Sequence, residues 1–418
     1  MRKSSLGALV AAGLLAGGLS TGSASAADLG GNCCADLEER IAELEATTAR
    51  KGNRKVSLTV SGWVGQQVMW WDDGYESNTY VGDLGATLSS HFKFTGQATI
   101  SPGWYAGYVL HVEARNNNSL GLSQDYGTPG AVADGVHLLQ SFWFVKSDQL
   151  GKLSVGLQSQ ASDNTAILVD GSGSLVPANW VAFDYANFTI RNSAGPGNTG
   201  VRWIGVGGCV GGGAIGDCNG ATQNVVRYDS PTFGGFSVSA SWGEDDMWDV
   251  AARYAGEHAG FKVAVAAAYN ENSTELWLGP TAGDTFQYFQ IGGYIEHVPT
   301  GVFVYGAYGN AQYDLAAGES ETYYVKAGLR ERWSALGHTV LYGEYENNKA
   351  DGLAFVQQPI GGAATSSDFD LWGLGVVQEI DAAAMSVWVS YRHVEYNDNS
   401  AINYEDFQYV KAGALINF

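Results

Sequence analysis

Proline is scarce in this chain, at 8 of 418 residues, and cysteine and methionine stand at 4 each. Charged side chains make up only 16%, against about 25% in a typical soluble domain, so a fully hydrated globular surface is a poor fit. Basic residues are the scarcer sign: 22 Lys and Arg face 43 Asp and Glu, a net charge of −21. Nucleic-acid binding, which needs clustered Lys and Arg against phosphate, is excluded on that balance. Beyond the first 26 residues there is no apolar run of 18, which excludes a membrane-spanning helix. Cys33, Cys34, Cys209 and Cys218 lack the spacing of zinc ligands. His91, His111, His137, His258, His297, His338 and His393 are scattered without a partner pattern, and no GxSxG nucleophile turn is present. Gly211, Gly213 and Gly216 match a dinucleotide-binding pattern only inside a glycine tract, with no strand and helix around it. No enzyme chemistry, metal or cofactor is expected.

What is abundant points to a membrane. Glycine (57), tyrosine (22) and tryptophan (13) are plentiful, and such rings favour the membrane–water boundary. Mean hydropathy is nevertheless −0.09. A transmembrane β-barrel reconciles the two, because lipid-facing and lumen-facing residues alternate and cancel in any average. Residues 1–26 read as a secretory leader: Arg2 and Lys3, an apolar stretch from Leu6 to Leu19, then Ala24-Ser25-Ala26. In the oxidising compartment beyond, Cys209 and Cys218 are disulfide candidates whose bond would contribute about 2–3 kcal/mol. Cys33 and Cys34 are adjacent and unsuited to bridging each other.

After the leader, residues 27–53 form a periplasmic linker. Within it 36–50 is helical, with Leu37, Ile41 and Leu44 at i, i+4 and i+7. That short helix is either a solvated linker or a coiled coil joining copies of the chain. Arg50, Lys51, Arg54 and Lys55 follow as a basic collar.

From Val56 the period becomes two. Val56, Leu58, Val60, Val64, Val68 and Trp70 face one way, while Ser57, Thr59, Ser61 and Gln67 face the other. The alternation recurs through residues 54–418, with Trp, Tyr and Phe near strand ends. Short turns fall at 101–103, 147–151, 231–235, 256–260, 297–301, 334–337 and 381–384. Longer connections alternate with them at 72–82, 116–136, 161–221, 244–246, 270–284, 311–320, 347–368 and 397–403. Seven short turns and eight longer connections make sixteen antiparallel strands, provided Val201–Val206 belongs to the 161–221 connection. An even count with short turns on one side is the pattern of bacterial outer-membrane barrels. Parity makes 161–221 the third external connection, between the fifth and sixth strands. A structureless segment this long is functional or a sign of wrong assignments; irregular backbone is tolerated at membrane depth where it lines a lumen. The chain ends on an alternating strand in which Val410, Ala412, Ala414, Ile416 and Phe418 share the lipid face. Ile416 and the terminal Phe418 resemble the recognition signal of the barrel-insertion machinery.

Two segments carry a family resemblance. Asn224 to Ala240, reading NVVRYDSPTFGGFSVSA, and the GEDDMWD that follows from Gly243 resemble a strand–turn–strand signature of general bacterial porins. Asp36 to Thr48, leading into Arg54-Lys55-Val56-Ser57-Leu58, is similar to the alphaproteobacterial porin family. The resemblance implies a general diffusion porin: a sixteen-stranded outer-membrane barrel, trimeric, whose third external loop folds into the lumen and narrows a passive, water-filled pore for ions and small hydrophilic solutes.

Function in such a pore is size and charge at the narrowest point. The loop offers Asp163, Asp170 and Asp184. Alternation places Lys93, Arg115, Arg227, Arg253, Lys262, Lys326, Arg330, Arg332, Arg392 and Lys411 on the lumen face, because Arg or Lys against lipid at mid-membrane costs about 2–4 kcal/mol. Asp170, Arg115, Arg330 and Arg392 are the preferred constriction candidates, acid on one wall and base on the other setting up a transverse field. The acidic balance predicts a modest cation preference. Two other readings compete. A substrate-specific channel for sugars or organic anions would use Trp180, Phe183, Tyr185 and Phe188 as an aromatic slide; the same rings would equally anchor the loop to the wall. A barrel phospholipase would need Ser, His and a polar orienter converging near the membrane boundary.

Overall fold

The alternation that opens at Val56 becomes strand β1 (Thr59–Asp72), whose outer residues Val60, Val64, Val68 and Trp70 are exposed while Gln67, Met69 and Trp71 are buried inside. In this computed structural model the described residues are 55–124, 134–179, 184–195, 197–203, 222–244, 246–273, 285–314, 318–351 and 364–418. The expected leader and 36–50 helix, all four cysteines, Trp180 and Phe183 lie outside them.

The strands follow in order: β2 (Ser77–Gly82), β3 (His91–Ser101), β4 (Trp104–Arg115), β5 (Gly135–Ser147), β6 (Gly151–Gln158), β7 (Thr189–Arg191), β8 (Asn198–Arg202), β9 (Gln223–Asp229) and β10 (Phe236–Gly243). Then come β11 (Trp248–His258), β12 (Phe261–Asn272), β13 (Phe286–His297), β14 (Val302–Tyr313), β15 (Gly318–Ser334), β16 (Gly337–Asp351), β17 (Ser366–Ile380), β18 (Met385–Asp398) and β19 (Phe407–Asn417). Neighbours pair antiparallel, and β19 returns to β1 over Trp63↔Asn417 to Asp72↔Gln408, which closes the sheet. Closure leaves no unpaired edge, the condition for crossing a bilayer with strands. Because β2 and β3 together form one partner of β1, the closed wall counts sixteen strands.

All seven short turns fall where spacing puts them. Gly103 and Gly260, at φ +77 and +83, supply turn conformations that a side chain resists. One difference appears in the first long connection. Residues 77–82, read as loop, form β2 on the upper half of β1, because Tyr80 and Gly82 face inward in register with Met69 and Gln67. The chain then detours through 83–90, burying Leu84 and Leu88, before β3 resumes on the lower half of β1. The strand β8 inside 198–202 pairs only with β7, so it belongs to the third connection and not to the wall.

The outer face is apolar: Val302, Val304, Leu341, Leu374, Val389 and Ile416 are all exposed. On the opposite face of the same strands Phe303, Tyr305, Tyr342, Val377, Trp388, Arg392 and Lys411 are buried. Hydrophobic residues outside and charges inside invert a soluble protein and suit hydrocarbon as the surrounding solvent.

Candidate functional site in the barrel lumen

The described residues of the third connection run along the inner wall, each short stretch held by residues distant in the chain. At the start, the backbone N–H of Ser162 donates to Asp249 Oδ2 at 2.7 Å, and Arg253 Nη2 on the same β11 donates to the Ala161 carbonyl at 2.6 Å. The Ala166 peptide is gripped at both ends: its N–H donates to Gln290 Oε1 and its carbonyl accepts from Tyr305 Oη, both at 2.8 Å. Asp170 pairs with Lys326 Nζ, which also donates to Ser174 Oγ at 2.8 Å and sits 5.6 Å from the rings of Tyr305 and Tyr342. The Ala178 carbonyl accepts from Arg392. Asp184 accepts from Lys411 Nζ at 2.6 Å, Gln67 Nε2 at 2.8 Å and Tyr409 Oη at 3.3 Å. Finally Thr189 accepts from and donates to Gln124, and Arg191 Nε meets Asp73 Oδ2 at 2.6 Å. The loop thus visits β11, β13, β14, β15, β18, β19 and β1 in turn.

Apolar contacts reinforce the polar ones. Ala166, Ile167, Tyr185, Phe188, Ile190 and Trp203 join wall residues Trp71, Phe369, Phe407 and Tyr409 in one buried cluster. Tyr185 lies 6.1 Å from the Phe369 ring, and Phe188 lies 4.7 Å from Phe407. Both loop rings have 0% exposure, so they anchor the loop and offer no face to a passing solute.

The charges form contacts across no gap. Arg392 grips Glu344 with two bonds, of 2.8 and 3.2 Å, and stands 3.6 Å from Asp184. Lys326 and Asp170 are both buried. Charges removed from water are tolerated only with such geometry and extra donors. Asp170 and Asp184, expected as loop acids opposite wall bases, touch their bases directly. Asp163 is different. Burial pushes its carboxyl up to about 6 against the Ser159 hydrogen bond and the Arg227 and Arg253 guanidiniums, with the Asp249 carboxylate adding to the rise.

The other candidates are spread along the wall. Arg227 donates to the carbonyls of Ser159 and Gln160 at the loop's entry and pairs with Asp229 at 2.7 Å. Arg330 pairs with Glu379 at 2.9 Å, beside the loop at Gly173. Lys262 pairs with Glu296 at 3.4 Å. Arg115 pairs with Glu113 at 2.8 Å, next to the 83–90 detour and away from the loop's bases. Arg332 is exposed at the short-turn end, where it pairs with Asp381 beside a bulge between Glu331 and Ser334. Spacing did not single out Glu344 or Glu346. Both occupy inward positions of β16, between outward Gly343, Tyr345 and Asn347, so their period-two placement was the available signal. Cys209 and Cys218 fall outside the described residues.

A family model described as Gram-negative porin matches residues 8–399. No curated protein sequence matches significantly. Among solved structures, the chain is similar to an anion-selective porin from Comamonas acidovorans at 15% identity, covering 87% of this chain and 100% of that one with a TM-score of 0.52. It is similar to OmpF of Salmonella typhi in complex with daunomycin at 14% identity, covering 87% and 98% with a TM-score of 0.53. It is also similar to the trimer form of OmpT, an outer membrane protein of Vibrio cholerae, at 14% identity, covering 87% and 99% with a TM-score of 0.51. Those structures share the fold, and the family model covers most of the sequence. Closed wall, lipid-facing apolar band and family match converge: the chain is an outer-membrane β-barrel belonging to the Gram-negative porin family.

Proposed function

We propose that this porin is a passive, water-filled channel for ions and small hydrophilic solutes, trimeric and mildly cation-preferring, exported by its leader and related to the alphaproteobacterial branch through 36–48 and the 54–58 segment it leads into. The observation that carries the reading is a closed wall whose charged residues point inward while an internal loop is clamped to them. Arg or Lys facing lipid at mid-membrane would cost about 2–4 kcal/mol, so the charges are kept on the inner face. The net charge of −21 supports cation preference. The anion selectivity named for the Comamonas structure does not transfer at 15% identity. The trimer rests on the resemblance and on the trimer form of the Vibrio protein. Transport, with no catalytic role, is the reading the family supports.

A single bilayer experiment tests this. Conductance should rise in proportion to salt, close in three equal steps, and reverse towards the cation potential in a salt gradient. A clear anion preference would overturn the selectivity, and saturable uptake in solute-swelling assays would favour a substrate-specific channel instead.

A further inference from the structure

One cluster of metal-ligating side chains lies outside the lumen. His393 and Glu395 are two apart on β18, so alternation turns both to the face opposite Arg392 and Val394. Asp406 stands one residue before β19, which pairs with β18 through His393↔Gln408 and Val394↔Phe407. Antiparallel pairing brings Asp406 beside them. His393 Nε2 lies 3.3 Å from Glu395 Oε1 and 3.3 Å from Asp406 Oδ2. One ligand atom from each residue lies within 4.8 Å of the others. Trp372, opposite His393 on β17, packs its ring 5.5 Å from the imidazole at 31° and limits its rotation.

We propose that His393, Glu395 and Asp406 bind a divalent transition-metal ion of the zinc class. Ligands about 2.1 Å from a tetrahedral ion sit about 3.4 Å apart, close to both measured separations. Without an ion, a single Nε2–H would have to serve two carboxylates at a distance long for either bond. Two carboxylates and a neutral imidazole carry two negative charges, which one divalent ion balances. A nitrogen ligand beside only two carboxylates favours zinc over calcium or magnesium, which take more oxygens. Three protein ligands leave one position for water.

The site has a mechanical connection to the lumen. Asp406 ends the connection whose backbone holds the inner loop: Ser193 N–H donates to the Asn403 carbonyl, and Glu405 N–H donates to the Arg191 carbonyl, each at 3.0 Å. An ion that ties Asp406 to β18 therefore stiffens the strap on residues 191–193. This consequence rests on the pore reading; the metal site does not.

Zinc titration calorimetry on tag-free, detergent-solubilised full-length protein tests the site. One saturable zinc site per chain is expected, weakened by at least about tenfold in His393→Asn and in Asp406→Asn. His258→Asn, at an exposed imidazole beside Tyr254, should leave it intact. Unchanged titration in Asp406→Asn, an exposed position suited to a folded variant, overturns the site; calcium binding as tight as zinc overturns the metal class. In bilayers, zinc should quiet brief closures of the wild type and of His258→Asn, and not those of His393→Asn or Asp406→Asn. Zinc binding without that effect would remove the coupling to the pore and leave the site standing.

Discussion

Arg392 shows how much one residue holds. Its guanidinium joins Glu344 on β16, Tyr409 on β19, Asp184 and the Ala178 carbonyl of the loop, all without access to solvent. Arg392→Met would keep most of the volume and leave two carboxylates, Asp184 with Lys411 and Glu344 with Lys326 opposite it on β15, without their shared guanidinium. Removing one partner of a buried ion pair costs about 3–5 kcal/mol, and denaturant unfolding in lipid vesicles should read that loss. Arg392→Lys should cost less, since it keeps the charge and loses the two-pronged grip on Glu344. A loss below about 1 kcal/mol in Arg392→Met would mean the cluster is hydrated, as in surface pairs. These partnerships were hidden in the sequence because the chain separations are large: 156 residues between Asp170 and Lys326, and 227 between Asp184 and Lys411. Alternation says which side chains face the lumen; it cannot say which acid meets which base.

The loop and strand β13 give the same lesson for elements. A Cβ at Gly292 would stand 2.1 Å from the Ala166 carbonyl oxygen, the same peptide held by Gln290 and Tyr305. Gly292→Ala should therefore push the loop inward, cost about 1–3 kcal/mol as overpacking does, and change single-channel conductance. Gly293, the next residue, points to the other face and has nothing within 4 Å of an added Cβ. Gly293→Ala is the matched control and should alter neither. Equal behaviour of the two variants would show that the loop does not press on β13. The loop's length and place in the strand order are legible from turn parity, since short and long connections alternate on a closed wall. Its inward course is not, because the contacts that fix it come from strands spread around the barrel. The β2 segment escaped notice for a related reason: six residues pair with only half of β1, too little for a separate alternating stretch.

At the scale of the whole molecule, closure depends on the last strand finding the first. Gly62 and Phe418 exchange two backbone hydrogen bonds of 3.1 and 3.0 Å, and Phe418 points its ring outward at 59% exposure. Ile416 pairs with Val64 on the same lipid-facing row. We expect deletion of Phe418 to lower the fraction of chain that becomes a heat-modifiable barrel in cells, while molecules that do fold conduct normally. Undiminished assembly would show that the terminal ring is not part of the insertion signal.

By itself the sequence determined the strand-built membrane class, the sixteen-strand parity and the lipid-facing face of the wall. All three follow from local rules: period two, turn chemistry, and the cost of placing charge in hydrocarbon. Only the tertiary structure decided that Asp170 and Asp184 are clamps joined to their bases, that Tyr185 and Phe188 are anchors, and that His393, Glu395 and Asp406 converge. Those outcomes depend on register between distant strands, and register is set by closing the sheet on itself.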